Sequence, residues 1–85
     1  MNFTVSPNSE DSRRYYAALC LLTRAATTTP PPDLCWEDFA TLASRVPGFV
    51  RFTEHGELVT TNRATANALA DHLFALGLHA TITAR

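Results

Sequence analysis

Few residues of this 85-residue chain could do chemistry: three histidines, two cysteines and eight carboxylates. The densest group is Glu54-His55-Gly56-Glu57, in which an imidazole lies between two carboxylates. Such a trio could hold a metal ion or pass a proton. The apolar runs on either side argue for a plainer role, because they make it the tip of a turn. Hairpin tips are solvated, whereas a catalytic group needs a concave, partly desolvated setting to shift its pKa. Asp71 and His72 are sequence neighbours on a helical segment, so they point about 100° apart and cannot orient one another. His79 and His72 lack a third partner with which to ligate a metal. Cys20 and Cys35 have neither the spacing of a zinc site nor the pattern of a disulfide framework. Both are read as lying on apolar helix faces, where free cysteine behaves as a small hydrophobe. No Ser or Cys occupies a nucleophile elbow, and no Gly-rich loop precedes a helix. Three glycines leave little backbone to cradle phosphate. The expectation is a protein that is not an enzyme and carries no metal and no cofactor.

Charge and composition narrow the partners. A formal net charge of −1 supplies no footprint for nucleic acid or for an anionic membrane. All seven basic residues are arginine, scattered from Arg13 to Arg85. With abundant Ala and Thr, this reads as the codon bias of a GC-rich genome. An apolar fraction of 46% with 18% charged residues suits a folded chain. The length suits one domain, near the size at which a single core is just adequate. The start "MNFTVSPNSED" has neither the basic residues nor the apolar run of a signal peptide. The run "YYAALCLLT" is too short to span a bilayer. A cytoplasmic protein with reduced thiols is expected.

The elements that position these groups follow from periodicity. "MNFTVS" alternates Met1, Phe3 and Val5 with Asn2, Thr4 and Ser6, which is a half-buried strand. Asn8 and Ser9 offer caps for a helix running to about Ala26. Its main stripe is Tyr15, Leu19, Leu22 and Ala26, with Tyr16 and Cys20 beside it and Arg13, Ala17 and Arg24 opposite. "TTTPPP" ends that helix. Asp33 caps a second one to Val46, with Cys35, Phe39, Leu42 and Val46 inward and Trp36, Ala40 and Ala43 alongside. Pro47-Gly48 stops it. Trp36, next to Glu37 and Asp38, reads either as the largest core residue of a small domain or as part of a partner surface.

Residues 49–53 and 57–61 form a hairpin closed by Glu54-His55-Gly56, the glycine being left-handed. That closure pairs Thr53 with Glu57, Phe52 with Leu58, Arg51 with Val59 and Val50 with Thr60. Val50, Phe52, Leu58 and Thr60 then share the core face. Phe49, Arg51, Thr53, Glu57, Val59 and Thr61 share the other. Thr61 or Asn62 caps a third helix to Leu76, with Ala66, Leu69, Ala70, Leu73 and Leu76 inward and Gly77 as its stop. In "LHATITAR", Leu78, Ala80, Ile82 and Ala84 face in, while His79, Thr81, Thr83 and Arg85 face out.

The order β-α-α-β-β-α-β predicts a two-layer α+β sandwich, a four-stranded mainly antiparallel sheet with helices on one face. Its connectivity is that of a split β-α-β, ferredoxin-like arrangement with an extra helix in the first crossover. RNA-recognition domains of this topology stack bases on aromatics of the first and third strands. Here the outward positions are Asn2, Thr4 and Ser6, then Glu57, Val59 and Thr61, and none is aromatic. A small, near-neutral, catalytically bare domain is expected to be a protein-binding module. The class in view is an inhibitor or adaptor that occludes a partner, as phage and mobile elements encode (anti-CRISPR or antitoxin type). Two alternatives stand beside it: an ACT-like small-molecule sensor binding at a dimer interface, and a small enzyme using its histidines. The expected binding surface is the outer face of the hairpin, Phe49 and Val59 around Arg51, with Glu54, His55 and Glu57 as a polar rim. A last strand and a small core also suit edge pairing between two copies.

Overall fold

The computed structural model describes residues 1–8, 11–25 and 30–84. Its elements follow the expected order: β1 (Phe3–Pro7), α1 (Ser12–Thr23), α2 (Trp36–Ala43), β2 (Phe49–Phe52), β3 (Leu58–Thr60), α3 (Arg63–Ala75) and β4 (Ala80–Ala84). The sheet order is β2-β3-β1-β4, and every neighbouring pair is antiparallel. It follows that β1 and β2 run parallel with β3 between them, as do β3 and β4 with β1 between them. Each crossover skips one strand. This is the split β-α-β, ferredoxin-like arrangement, with both α1 and α2 in the first crossover. In the helical layer α1 packs on both α2 and α3.

Capping chemistry sets the helix ends. At α1 the cap is Asp11, whose Oδ1 accepts the Arg14 N–H at 3.1 Å, rather than Asn8 or Ser9. Ser9 lies outside the described residues. This helix stops at Thr23, earlier than expected, because Arg24 turns left-handed (φ 55°) and the Ala25 N–H closes onto the Cys20 carbonyl at 3.0 Å. Ala26, expected on its stripe, is outside the described residues, as is Arg85. At α2 the cap is Cys35 instead of Asp33, and the helix ends at Ala43 instead of Val46. Pro47 disfavours the helical conformation in the residue before it, so residues 44–46 form a turn. α3 begins as expected at Asn62, whose side chain accepts the Thr65 N–H at 3.2 Å.

Val5, Leu19, Leu58, Leu69 and Leu73 are wholly buried between the helices and the sheet. Leu19, Leu69 and Leu73 fall on the expected helix stripes, and Cys20 is buried beside Leu19, where desolvation pushes its thiol pKa up. Cys35 departs from expectation: it is exposed. Because it precedes the first turn of α2, it never reaches that helix's inner face. Both thiols are free. Met1 and Ala84, expected on the core face, are exposed at the ends of their strands. Among the described residues no helix is long and apolar enough to cross a membrane.

The hairpin carries the main correction. Phe52 pairs with Leu58 and Arg51 with Val59, as expected, but Phe49 and not Val50 stands opposite Thr60. An irregularity between Phe49 and Arg51 absorbs the extra residue. A bulge reverses the alternation on one side of itself. Phe49 therefore turns to the core side and packs there partly buried, while Val50 turns outward and is 38% exposed.

Candidate binding cleft

The hairpin tip meets the starts of α1 and α2 at one end of the sheet, and four aromatic side chains converge there. Phe39 and Phe52 stack almost parallel, with centroids 6.0 Å apart and planes inclined by 4°. Tyr15 lies against them at 5.5 and 6.1 Å, and Trp36 lies 6.4 Å from Phe52. Each comes from a different local rule: Tyr15 from the inner stripe of α1, Trp36 and Phe39 from successive turns of α2, Phe52 from the core face of β2.

Two hydrogen bonds hook this cluster to the hairpin. The Tyr15 hydroxyl donates to the Gly56 carbonyl at 2.8 Å, and the Trp36 indole N–H donates to the Thr53 carbonyl at 2.9 Å. Gly56 is left-handed (φ 81°), as the turn requires, and its N–H closes on Thr53 at 3.0 Å. Burial, and secondarily the charge of Glu57, pushes the Tyr15 phenol pKa well above its ordinary value near 10. That hydroxyl is a fixed donor. Tyr15, Phe39 and Phe52 are buried, but Trp36 keeps 48% of its surface exposed.

Over this cluster opens a cleft of about 610 Å³. That volume is within the range of small-molecule and side-chain pockets. Its remaining wall includes Leu34, Cys35, Asp11 and the tip residues Glu54 and His55. Among the described residues no arginine lines it, and two carboxylates, Asp11 and Glu54, face one imidazole. Asp11 also pairs with Arg14 at 3.3 Å, in an exposed position where such a pair is weak.

The cleft offers an aromatic face, carboxylates and an imidazole as contact groups. The Cys35 thiol donates to Asp38 Oδ2 at 3.3 Å, the same oxygen that accepts the Cys35 backbone N–H at 3.0 Å. That is a helix-capping arrangement. Among the described residues, no group of three His, Cys, Asp or Glu is placed to hold a metal ion. His72 lies in the last turn of α3, and the His79 ring stands edge-on to Phe74 at 6.0 Å.

The six residues expected to form one binding surface occupy three places. Glu54 and His55 line the cleft, so the tip of this hairpin borders a concavity despite its exposure. Arg51, Glu57 and Val59 lie on the sheet face away from the helices, in a polar depression of about 150 Å³ shared with Thr4, Ser6, Thr53 and Thr83. There Glu57 Oε2 accepts the Ser6 hydroxyl at 2.6 Å. Phe49 is on the opposite, helical side. Val59 is only 2% exposed, because β3 is an inner strand and Arg51 and Thr4 flank it in register. Phe49 and Val59 therefore do not frame an exposed Arg51.

The aromatic wall was missed because its members read singly as core residues. The one available signal was Trp36 beside two acids, but a tryptophan in a small domain is more often its largest core residue, and here it is 48% exposed. Comparison with protein families, with curated proteins and with solved structures finds no match to this chain.

Proposed function

We propose that this chain is a non-catalytic protein-binding module, acting in the cytoplasm as an inhibitor or adaptor by occluding a partner, and that the aromatic cleft is where it grips. The observation that carries the reading is Trp36, half exposed and yet pinned by its indole N–H to Thr53. An aromatic face already immobilised loses little entropy on binding, and tryptophan is the commonest kind of interface hot spot. The Glu54 carboxylate, with no arginine among the described lining residues, favours a basic partner segment. An arginine or lysine side chain would find both an aromatic face and an opposite charge. A second reading, a small-molecule sensor, draws support from the cleft's volume alone.

The test is photo-crosslinking in the native host, with the crosslinking residue at Glu54 and, as a control, at the exposed Arg13 on α1. Protein adducts should form from position 54 and not from position 13. Trp36→Ala should remove them, since loss of a hot spot weakens binding by roughly thirtyfold or more. Arg51→Glu, on the far sheet face, should leave them intact. If folded Trp36→Ala keeps its adducts while Arg51→Glu loses them, the polar sheet face is the site. Absence of protein adducts, together with a shift of Trp36 emission on adding a protein-free metabolite extract, would favour the sensor.

A further inference from the structure

The two edges of the sheet are not alike. β2 is bulged and has α2 packed against it, and both features discourage a further strand. β4 is straight, pairs with β1 over all five of its residues, and contains no charge and no proline. Among the described residues nothing pairs with its outer side.

Which groups face outward can be worked out. The Asn8 N–H donates to the His79 carbonyl at 2.7 Å, so residues 8 and 79 form a hydrogen-bonded pair of the β1–β4 ladder. Hydrogen-bonded pairs alternate along an antiparallel ladder. Thr81 and Thr83 therefore bond to β1, and Ala80, Ile82 and Ala84 direct their N–H and C=O groups to the free edge. Moreover, the strand reads Ala-Thr-Ile-Thr-Ala, a palindrome.

We propose that β4 pairs antiparallel with β4 of a second copy about a two-fold axis at Ile82, joining the two sheets into one. In that register Ile82 meets its own counterpart, Thr81 meets Thr83 of the other copy, and Ala80 meets Ala84. All the outward backbone groups are satisfied, by about six hydrogen bonds. The Thr–Thr contacts fall on the polar sheet face and the Ile–Ile contact beneath the helices, which are favourable cross-strand pairs. An uncharged strand meets no like-charge repulsion on pairing with itself. A second copy is thus the occupant that the sequence of this edge fits. Phe74 of α3, 69% exposed with its ring against His79 just before β4, adds apolar area beside the junction.

The experiment is sedimentation velocity of the whole chain over micromolar to submillimolar concentration, with three variants. Wild type should sediment at twice the 9.3 kDa chain mass. Thr81→Glu with Thr83→Glu places glutamates opposite one another twice and should weaken association by about tenfold or more. Thr81→Glu with Thr83→Arg places opposite charges across the same positions and should restore the dimer. Ala84→Pro removes an outward N–H while leaving the bonds to β1, and should also dissociate it. Circular dichroism checks each fold, and Ala84→Pro carries the test if the double-glutamate variant does not fold. A wild type that stays monomeric throughout, or a dimer indifferent to the folded edge variants, overturns the proposal.

Discussion

Gly48 stands where the chain leaves α2 and enters β2, and replacing it with alanine should be among the most damaging small changes in the molecule. Its φ is +73°, and a Cβ there would lie 2.8 Å from the Asn62 backbone nitrogen, 2.8 Å from Thr61 Oγ1 and 2.9 Å from Asn62 Cβ. Two of these contacts are to Asn62, the residue that caps α3. The Gly48 carbonyl meanwhile accepts the Thr61 N–H at 2.8 Å, so the seam cannot open without losing that bond. Gly56 is the internal control: its φ is +81°, yet the nearest atom to its added Cβ is Tyr15 Cε2 at 3.9 Å. Holding an L-residue left-handed costs about 1–2 kcal/mol. Gly56→Ala should cost that alone. Gly48→Ala adds the displacement of backbone and of a helix cap, which brings it to about 3 kcal/mol or more. A chain of this size has roughly 4–13 kcal/mol in all. At about 4–8 °C per kcal/mol, thermal melts should place Gly56→Ala about 5–15 °C below wild type and Gly48→Ala at least about 4 °C lower again. Melts of the two variants that coincide would show that the Gly48 seam relaxes freely, and the packing argument would fail.

The raised phenol pKa of Tyr15 has a definite sign. A group held protonated by the fold contributes stability that is complete below its unfolded value near 10 and is lost as pH rises above it. Tyr15→Phe should cost about 1 kcal/mol at neutral pH through the lost bond to Gly56, yet its melting temperature should fall less than wild type's between about pH 9 and pH 11. Parallel pH profiles would remove the assignment. For the thiols, brief alkylation of the native protein should add one adduct, at Cys35, with Cys20 modified only after denaturation. Equal labelling of both by mass spectrometry would contradict the burial of Cys20.

Strong periodicity made much of the fold legible. The run from Asn62 to Gly77 carries a cap, a 3.6-residue apolar stripe and a glycine stop, and each local rule agrees with the others. α3 formed accordingly. "ATITA" alternates cleanly, and β4 formed over those five residues. The number and order of elements followed, and the connectivity then restricted the sheet to few arrangements.

What the sequence by itself determined, then, are features set by neighbours along the chain: element order, the inner stripe of α3, the alternation of β4 up to Thr83, the left-handed turn at Gly56 and the burial of Cys20. What only the tertiary structure decided are features set by residues far apart in sequence. A bulge is invisible to a period-two pattern, and it exchanged the faces of Phe49 and Val50. The placing of β3 inside the sheet buried Val59 from both flanks, although its own strand pattern turned it outward. The helix start at Trp36 left Cys35 in solvent. The cleft is the fullest case, since Tyr15, Trp36, Phe39 and Phe52 become one aromatic wall only when α1, α2 and the hairpin are brought to the same end of the sheet. Periodicity tells which way a side chain points from its own element; it carries no information about what stands opposite.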